Sequence, residues 1–236
     1  MNKYGSIKKY RDAVDNNLFF KLRTVLAVKN DLRKALKAIP QEGFEKINAQ
    51  YKDYDPYPGY SKYLNIKPWM LDNVWRAHLL GLDHPHPRKT ILDIGTGNGY
   101  FPFLCKQYGH EVRSIDIDFN PIFNSLIKLL DIPRMDYAIQ AREHIPAFDV
   151  RFDVVTGFHT YFNGHRTDHL WKWQEWEFFM KDLKQNLCNP GAEAFFIINS
   201  EHDTKMPYTP ELKEYFLAKG AEIDHERVYF KNLDAF

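Results

Sequence analysis

The feature that most constrains this chain is a short apolar run followed by three glycines at alternate positions. Residues 90–94 form the run, and Pro87 on one side and the glycines on the other bound it, as is typical of a buried β-strand. The pattern of residues 100–108 then predicts an α-helix. The three glycines are Gly95, Gly97 and Gly99. They therefore lie on a strand-to-helix turn, where backbone can approach a ligand closely because no Cβ atom intervenes.

Two acidic residues narrow the choice of ligand. Asp93 lies near the end of the first run, and Asp116 lies near the end of a second predicted strand, residues 111–117. The dinucleotide fingerprint G-x-G-x-x-G would need glycine at position 100, which is Tyr100. A pyrophosphate would also meet the carboxylate of Asp93 unfavourably. The pattern therefore favours a ligand with a positive charge and a ribose.

The D-x-G-x-G-x-G spacing with the later aspartate resembles motif I and the second-strand acid of class I S-adenosylmethionine (SAM)-dependent methyltransferases. The resemblance covers residues 88–232. Residues 152–155, Phe-Asp-Val-Val, are similar to the F-D-x-V strand of the family. Residues 189–192, Asn-Pro-Gly-Ala, stand where the family has L-x-P-G-G, with alanine replacing the second glycine. The resemblance implies SAM as cofactor and S-adenosylhomocysteine as its product.

The resemblance also implies roles for residues of this site. The glycine backbone would pass under the methionine and ribose parts of SAM, and Asp93 would balance the ammonium group. Asp116 would accept the ribose hydroxyls, Ile117 would cover the adenine, and Gln140 would meet the adenine amine. Gln140 is also compatible with an ordinary exposed loop residue. The expected cofactor-binding residues are Asp93, Gly95, Thr96, Gly97, Gly99, Asp116, Ile117, Gln140, Ala141 and Phe158.

Candidate catalytic residues follow the predicted fourth strand, in a segment that lies beside the methyl group in this family. His159 is the first candidate for a general base, because an unperturbed histidine has a pKa near neutrality. His165 and Tyr161 come next. A histidine near a strand end is also commonly structural. No metal site is predicted, since the two cysteines lie far apart and the histidines lack nearby carboxylates in a ligand spacing.

Strands and helices alternate from residue 90 onward, which predicts a doubly wound, mostly parallel α/β sheet like that of class I methyltransferases. Strands are expected at 90–94, 111–117, 135–140, 151–157, 192–199 and 221–231, and helices at 100–108, 120–130, 168–188 and 210–219. The last strand is expected either to fold as a tight hairpin or to leave the sheet one strand short. Such sheets bind ligands at the carboxyl ends of their strands. The SAM-binding domain is expected at 88–236.

Residues 1–87 are expected to form a helical and aromatic extension. Residues 18–39 have apolar side chains at helical spacing, and residues 68–80 predict a further helix. Residues 1–39 carry seven lysines, three arginines and three aspartates, a net charge of +7. The first helix is therefore interpreted as docked with a solvated basic face, or as binding phosphates or an anionic membrane. Tyrosines at 51, 54, 57, 60 and 63 suggest an extended polyproline-like edge, either pinning a loop or forming a lid over the site.

The composition of the chain narrows the possible classes of function. The whole chain has a net charge of only +1, no apolar run of transmembrane length and no signal-peptide core, so a cytoplasmic protein is expected. Near-neutral charge and many aromatic residues favour a small-molecule or glycan-like acceptor, methylated on oxygen or nitrogen. One alternative is a nucleic-acid or protein methyltransferase that docks through the basic helix, although the chain lacks an N-P-P-Y-type tetrapeptide. The other is a non-catalytic SAM-binding protein.

Overall fold

A computed structural model describes residues 12–14, 16–52, 58–201 and 205–236. Its α-helices are α1 (Leu18–Ala38), α2 (Gln41–Tyr51), α3 (Ile66–Leu80), α4 (Tyr100–Gln107), α5 (Pro121–Leu129), α6 (Trp173–Asp182) and α7 (Pro210–Ala218). Its strands are β1 (Thr90–Ile94), β2 (Glu111–Asp116), β3 (Arg134–Asp136), β4 (Phe152–Phe158), β5 (Cys188–Ile197), β6 (Glu222–Asp224) and β7 (Arg227–Phe230). No helix of these residues is long and apolar enough to cross a membrane.

Within the described residues, seven strands form one sheet in the order β3-β2-β1-β4-β5-β7-β6. Strand β4 pairs parallel with β1 on one side and with β5 on the other. Strand β7 runs antiparallel to both β5 and β6. The predicted α/β class with a mostly parallel sheet is confirmed. Residues 221–231 form the hairpin β6–β7, so of the two expected outcomes the hairpin is correct.

Local sequence signals set where several elements begin. The side chain of Asn120 accepts hydrogen bonds from the backbone N–H groups of Ile122 and Phe123, and Pro121 occupies the first turn of α5. Thr209 and Pro210 begin α7 in the same way. Such caps satisfy N–H groups that have no partner within the helix. Both helices therefore begin within a residue of the predicted position.

The C-terminal end of the predicted helix 168–188 differs from expectation. The α-helix ends at Asp182, a π-helical turn follows over Leu183–Leu187, and β5 begins at Cys188 rather than at 192. The guanidinium of Arg151 donates to the carbonyl oxygens of Gln185 (3.1 Å) and Cys188 (2.8 Å). These carbonyls face the end of the helix, where no intrahelical donor remains. A distant arginine, which helical periodicity does not reveal, therefore stabilises this ending.

The chain divides into two compact units whose segments alternate along the sequence. The first comprises Met1–Arg88, Thr96–Val112 and Asp118–Arg134, and the second comprises Lys89–Gly95, Arg113–Ile117 and Met135–Phe236. The first unit thus joins the N-terminal helices to α4 and α5. The second holds most of the sheet with α6 and α7, and its core is aromatic, with Phe152, Trp176, Phe196, Phe216 and Phe230 buried. The division into residues 1–87 and 88–236 stays a prediction.

In the first unit, the N-terminal helices pack on α4 and α5. A Cβ atom placed on Gly43 of α2 would lie 2.3 Å from Cδ1 of Leu129, so α2 approaches α5 closely. The hydroxyl of Tyr100, at the start of α4, donates to the carbonyl of Tyr63 at 2.8 Å. His78 of α3 lies 3.0 Å from the carboxylate of Asp31 on α1. The described N-terminal helices therefore pack together with α4 and α5 in the first unit.

The prediction that the five tyrosines of residues 51–63 lie along one edge of an extended segment is wrong. Tyr51 ends helix α2, and Tyr63 lies in a 3₁₀ turn over Ser61–Leu64. Tyr54 and Tyr57, like residues 1–11 of the basic arm, lie outside the described residues. The spacing of three residues did not predict an extended segment correctly, because helix α2 extends as far as Tyr51. Tyrosine is compatible with the end of a helix as well as with extended chain.

Candidate active site

The turn between β1 and α4 requires its glycines. The φ angles are +68° at Gly95, +54° at Gly97 and +75° at Gly99, a region that side chains other than glycine rarely adopt. A Cβ atom on Gly95 would lie 2.2 Å from Cγ2 of Thr160, and one on Gly99 would lie 2.8 Å from Cδ1 of Ile127. Backbone conformation at all three glycines, and close packing at Gly95 and Gly99, therefore exclude larger residues.

Asp93 places a carboxylate at the end of β1. Its side chain is 2% exposed, and the hydroxyl of Thr156 on β4 donates to its Oδ1 at 2.7 Å. A buried carboxylate is costly unless hydrogen bonds or a cation compensate it. The hydroxyl of Thr156 contributes to that compensation. A carboxylate at the end of β1 would also favour a cationic group of a ligand over an anionic one.

Asp116 is the last residue of β2. Its Oδ1 accepts a hydrogen bond from the backbone N–H of Ile117 at 2.8 Å, and its carbonyl accepts one from Tyr137 at 3.1 Å. The bond to Ile117 fixes the carboxylate at the turn that leaves the strand. Ile117 itself is exposed, as expected of an apolar side chain available to cover a flat ring.

The second unit brings several of the predicted residues to one edge of the sheet. Asp93 pairs in register with Thr156 of β4, and the N–H of Gly95 donates to the carbonyl of Ile115 at 2.7 Å. The ends of β1, β2 and β4 are therefore level, so Asp93, Asp116 and Phe158 share the carboxyl edge. Gln140 and Ala141 are exposed in the irregular segment after β3. Thr96 and the other two glycines continue the turn into α4.

The loop after β4 is held in a strained but well-bonded conformation. His159 and Arg166 have φ angles of +53° and +61°. Strain of this kind persists where surrounding contacts determine the conformation, and it is common at functional sites. Here the N–H of His159 donates to the carbonyl of Ile197 at 2.8 Å, and that of Trp171 donates to Asn163 at 2.8 Å. The loop is thus fixed at both ends.

The three candidate catalytic residues have different environments. His159 is exposed, and its Nδ1 lies 3.1 Å from Oδ1 of Asn199. Because an amide oxygen only accepts, Nδ1 is the donor and the ring's acceptor lone pair is on Nε2. Tyr161 is also exposed. His165, in contrast, is buried, with its Nδ1 2.5 Å from Oε1 of Glu201. Its Nε2 has no hydrogen-bond partner among the described residues.

Asn199 and Glu201 are functional candidates that sequence reasoning missed. Both follow β5, and they bind His159 and His165 of the loop after β4. Glu201 also accepts from the backbone N–H of Arg166 at 3.0 Å. The only sequence signal for them was their position after a predicted strand at the carboxyl edge. Over the described residues, no group of three or more His, Cys, Asp and Glu side chains is placed to hold a metal.

An aromatic cluster of the first unit adjoins the glycine turn. The ring of Tyr60 lies 5.8 Å from that of Phe119 and 5.2 Å from that of Phe123, measured between centroids. Tyr63 lies 5.1 Å from Phe123. A Cβ atom on Gly97 would lie 3.5 Å from the Phe123 ring. Residues of the N-terminal extension therefore flank the turn through one shared phenylalanine.

Comparison with known proteins gives matches among solved structures only. No protein-family model and no curated protein matches the chain. Similar structures include the glycopeptide N-methyltransferase MtfA, at 15% identity and TM-score 0.39 over 56% of this chain and 57% of that one. TehB from Haemophilus influenzae aligns at 19% identity and TM-score 0.42 over 62% and 49%. A TehB-like SAM-dependent methyltransferase from Corynebacterium glutamicum aligns at 17% and 0.42 over 58% and 68%.

The chain spans about half the length of the first solved structures that it matches. MtfA has also been solved with SAM and with S-adenosylhomocysteine. The fold is defined by this chain's own features: the strand order, the antiparallel closing pair and the glycine turn directly after β1. Together these features define an α/β fold of the class I methyltransferase-like type.

Proposed function

We propose that this protein is an enzyme that transfers the methyl group of SAM to a small-molecule or glycan-like acceptor. The observation that carries the proposal is the buried carboxylate of Asp93 directly before a turn of three left-handed glycines. A turn without Cβ atoms accommodates a ligand in contact with backbone. The adjacent buried carboxylate selects a cationic ligand rather than a pyrophosphate.

The chain's residues would bind SAM in defined roles. Asp93 balances the ammonium group, and Asp116 accepts the ribose hydroxyls with a carboxylate already oriented by the N–H of Ile117. Ile117 supplies apolar surface for the adenine, and Phe158 adds apolar cofactor-binding surface at the end of β4. Gln140 and Ala141 meet the adenine amine, and Thr96 lies between the first two glycines, whose backbone passes under the cofactor.

Bound SAM would supply a methyl group on a sulfonium, a good leaving group, so the protein's main task is to align the acceptor. For a hydroxyl acceptor, His159 takes the proton on Nε2 while the acceptor oxygen bonds to the methyl carbon. The bonding pair of the broken sulfur–carbon bond stays on sulfur. Asn199 fixes the ring for this task through Nδ1. Tyr161 is the accessible alternative, and His165 would act only if its buried ring became accessible.

The first test of the proposal measures cofactor binding by calorimetry. SAM and S-adenosylhomocysteine should bind, and NAD should not. Asp116→Ala should weaken SAM binding by about 1–3 kcal/mol, which is about 5- to 150-fold, because it removes charge-assisted hydrogen bonds. Asp149→Ala is the matched control. It removes an exposed carboxylate that lies 3.1 Å from the guanidinium of Arg113. Arg113 lies on β2, as Asp116 does. Equal SAM affinity in the two variants, or binding of NAD, would contradict the proposed site.

We further propose that Tyr60 and Tyr63 contribute to acceptor binding. Their contacts with Phe123 beside Gly97 support this role. Mass spectrometry of a copurifying ligand would identify the acceptor class. In an assay with that acceptor, Tyr60→Ala should raise its KM while leaving SAM affinity unchanged.

A further inference from the structure

Helix α1 has a second apolar stripe that faces away from the protein core. Its inner face is buried through Val28, Leu32 and Ala35. Four large side chains on another side of the helix are exposed: Leu18 by 71%, Phe19 by 86%, Leu22 by 54% and Leu26 by 65%. Single exposed apolar residues are ordinary, but a contiguous stripe marks an interaction surface.

The stripe continues into a groove between α1 and α3. The groove has a volume of about 630 Å³ and is lined mainly by apolar side chains, among them Val25 and Leu36 of α1 and Leu71 and Trp75 of α3. The exposed leucines of the first half of α1 and this groove therefore form one continuous apolar surface, the α1 surface. All of it belongs to the first unit.

The charges around the α1 surface have one sign. Lys29, Arg33 and Lys67 line the groove. Helix α1 contains six basic residues and a single acidic one, Asp31. The carboxylate of Asp31 lies 3.0 Å from His78 of α3 and so is turned toward the protein. The apolar stripe is therefore surrounded by cations, a pattern typical of helices that lie in a membrane interface.

We propose that the α1 surface binds an anionic lipid bilayer, with α1 lying parallel to the membrane plane. Leu18, Phe19, Leu22 and Leu26 insert among the acyl chains, and the lysines and arginine contact the negative headgroups. This function is separate from methyl transfer and does not depend on the proposed cofactor site.

The shape and charge of the surface favour a bilayer over other occupants. The four exposed side chains do not line the groove. They protrude, whereas a partner helix would anchor in the concave part. A second copy of the chain would oppose two cationic surfaces, which repel. A nucleic acid would neutralise the cations but would leave the apolar stripe in water.

The test is cosedimentation of the full chain with phosphatidylcholine vesicles, with and without phosphatidylglycerol. Binding should require phosphatidylglycerol and weaken with salt. Leu22→Glu and Leu26→Glu should each lower the partition coefficient about tenfold or more. Lys29→Gln should lower it about fivefold. Leu217→Glu, at an exposed leucine of α7, is the matched control and should bind as the unmodified chain does.

The far-ultraviolet circular dichroism spectrum, measured on every variant, reports whether the fold remains intact. Equal vesicle binding by Leu22→Glu and Leu217→Glu would overturn the proposal. So would equal binding to vesicles without phosphatidylglycerol. A dimer that light scattering detects for the unmodified chain and not for Leu22→Glu would assign the surface to a second copy. Retention on heparin without vesicle binding would assign it to a polyanion.

Discussion

Substitution of Gly95 by alanine tests whether the glycine turn is fixed by both backbone conformation and packing. At φ +68° an alanine would cost about 1–2 kcal/mol in left-handed strain. Its Cβ atom would also lie 2.2 Å from Cγ2 of Thr160, well inside contact distance. Overpacking of that kind costs about 1–3 kcal/mol. Gly95→Ala should therefore lower the free energy of unfolding by about 2–5 kcal/mol.

Gly97→Ala is the matched control, because an alanine there has the same left-handed backbone strain but its Cβ atom does not collide with a neighbouring side chain. Its φ is +54°, and its nearest neighbour would be the Phe123 ring at 3.5 Å, an ordinary contact. The expected loss is about 1–2 kcal/mol. The two single variants therefore separate the cost of packing from the cost of conformation.

A double-mutant cycle with Thr160→Gly isolates the collision. That change removes Cγ2 and Cβ and leaves Cα at 3.7 Å from the new methyl group. Urea denaturation should then show a favourable coupling of about 1–3 kcal/mol between the two changes. Equal losses for Gly95→Ala and Gly97→Ala, with no coupling to Thr160, would refute the reasoning.

Two further predictions concern acid–base groups. His159→Ala should retain SAM affinity and lower turnover by roughly 10²–10⁴-fold, as measured by S-adenosylhomocysteine formation with the identified acceptor; an unchanged rate would exclude it as the base. Partial burial of Glu177 would raise its pKa, but hydrogen bonds from Lys181, Tyr215 and Lys219 outweigh this and hold the pKa at about 2. Since the folded-state pKa is lowered from 4.5, the stabilisation is present above about pH 4.5 and is lost as the pH falls toward 2. Thermal unfolding should therefore show the difference between the unmodified chain and Glu177→Gln shrinking over that range, and a constant difference would contradict the pKa.

Much of the sheet and its helices could be predicted because their signals are local. Strand β1 matches the predicted residues, and β2 ends one residue earlier than predicted. In β1, an apolar run is bounded by residues that break a strand. Strand β3 is shorter than predicted, Arg134–Asp136 rather than 135–140, because residues 137–140 leave the ladder although their composition still suits a strand. Helix starts were accurate where Asn-Pro or Thr-Pro provides a cap.

At position 100 the absence of glycine was informative, but the role of the tyrosine itself could not be predicted from the sequence. Tyrosine at position 100 argued against a dinucleotide site. In the structure its hydroxyl donates to the carbonyl of Tyr63, and burial raises its pKa. The partner is 37 residues away. A hydrogen bond of that separation leaves no periodic trace in the sequence, so this tie between the extension and α4 became visible only in three dimensions.

The same limit governs the choice among catalytic candidates. Residue type and position after β4 single out both His159 and His165, with His159 first. Their partners separate them: Asn199 lies 40 residues from His159, and Glu201 lies 36 residues from His165. His159 is exposed, and its hydrogen bond to the neutral amide of Asn199 leaves the acceptor lone pair on Nε2, as a general base requires. The carboxylate fixes His165 inside the protein, where it ties the loop after β4 to the segment after β5. The His165–Glu201 pair therefore fixes the conformation of the loop that presents His159.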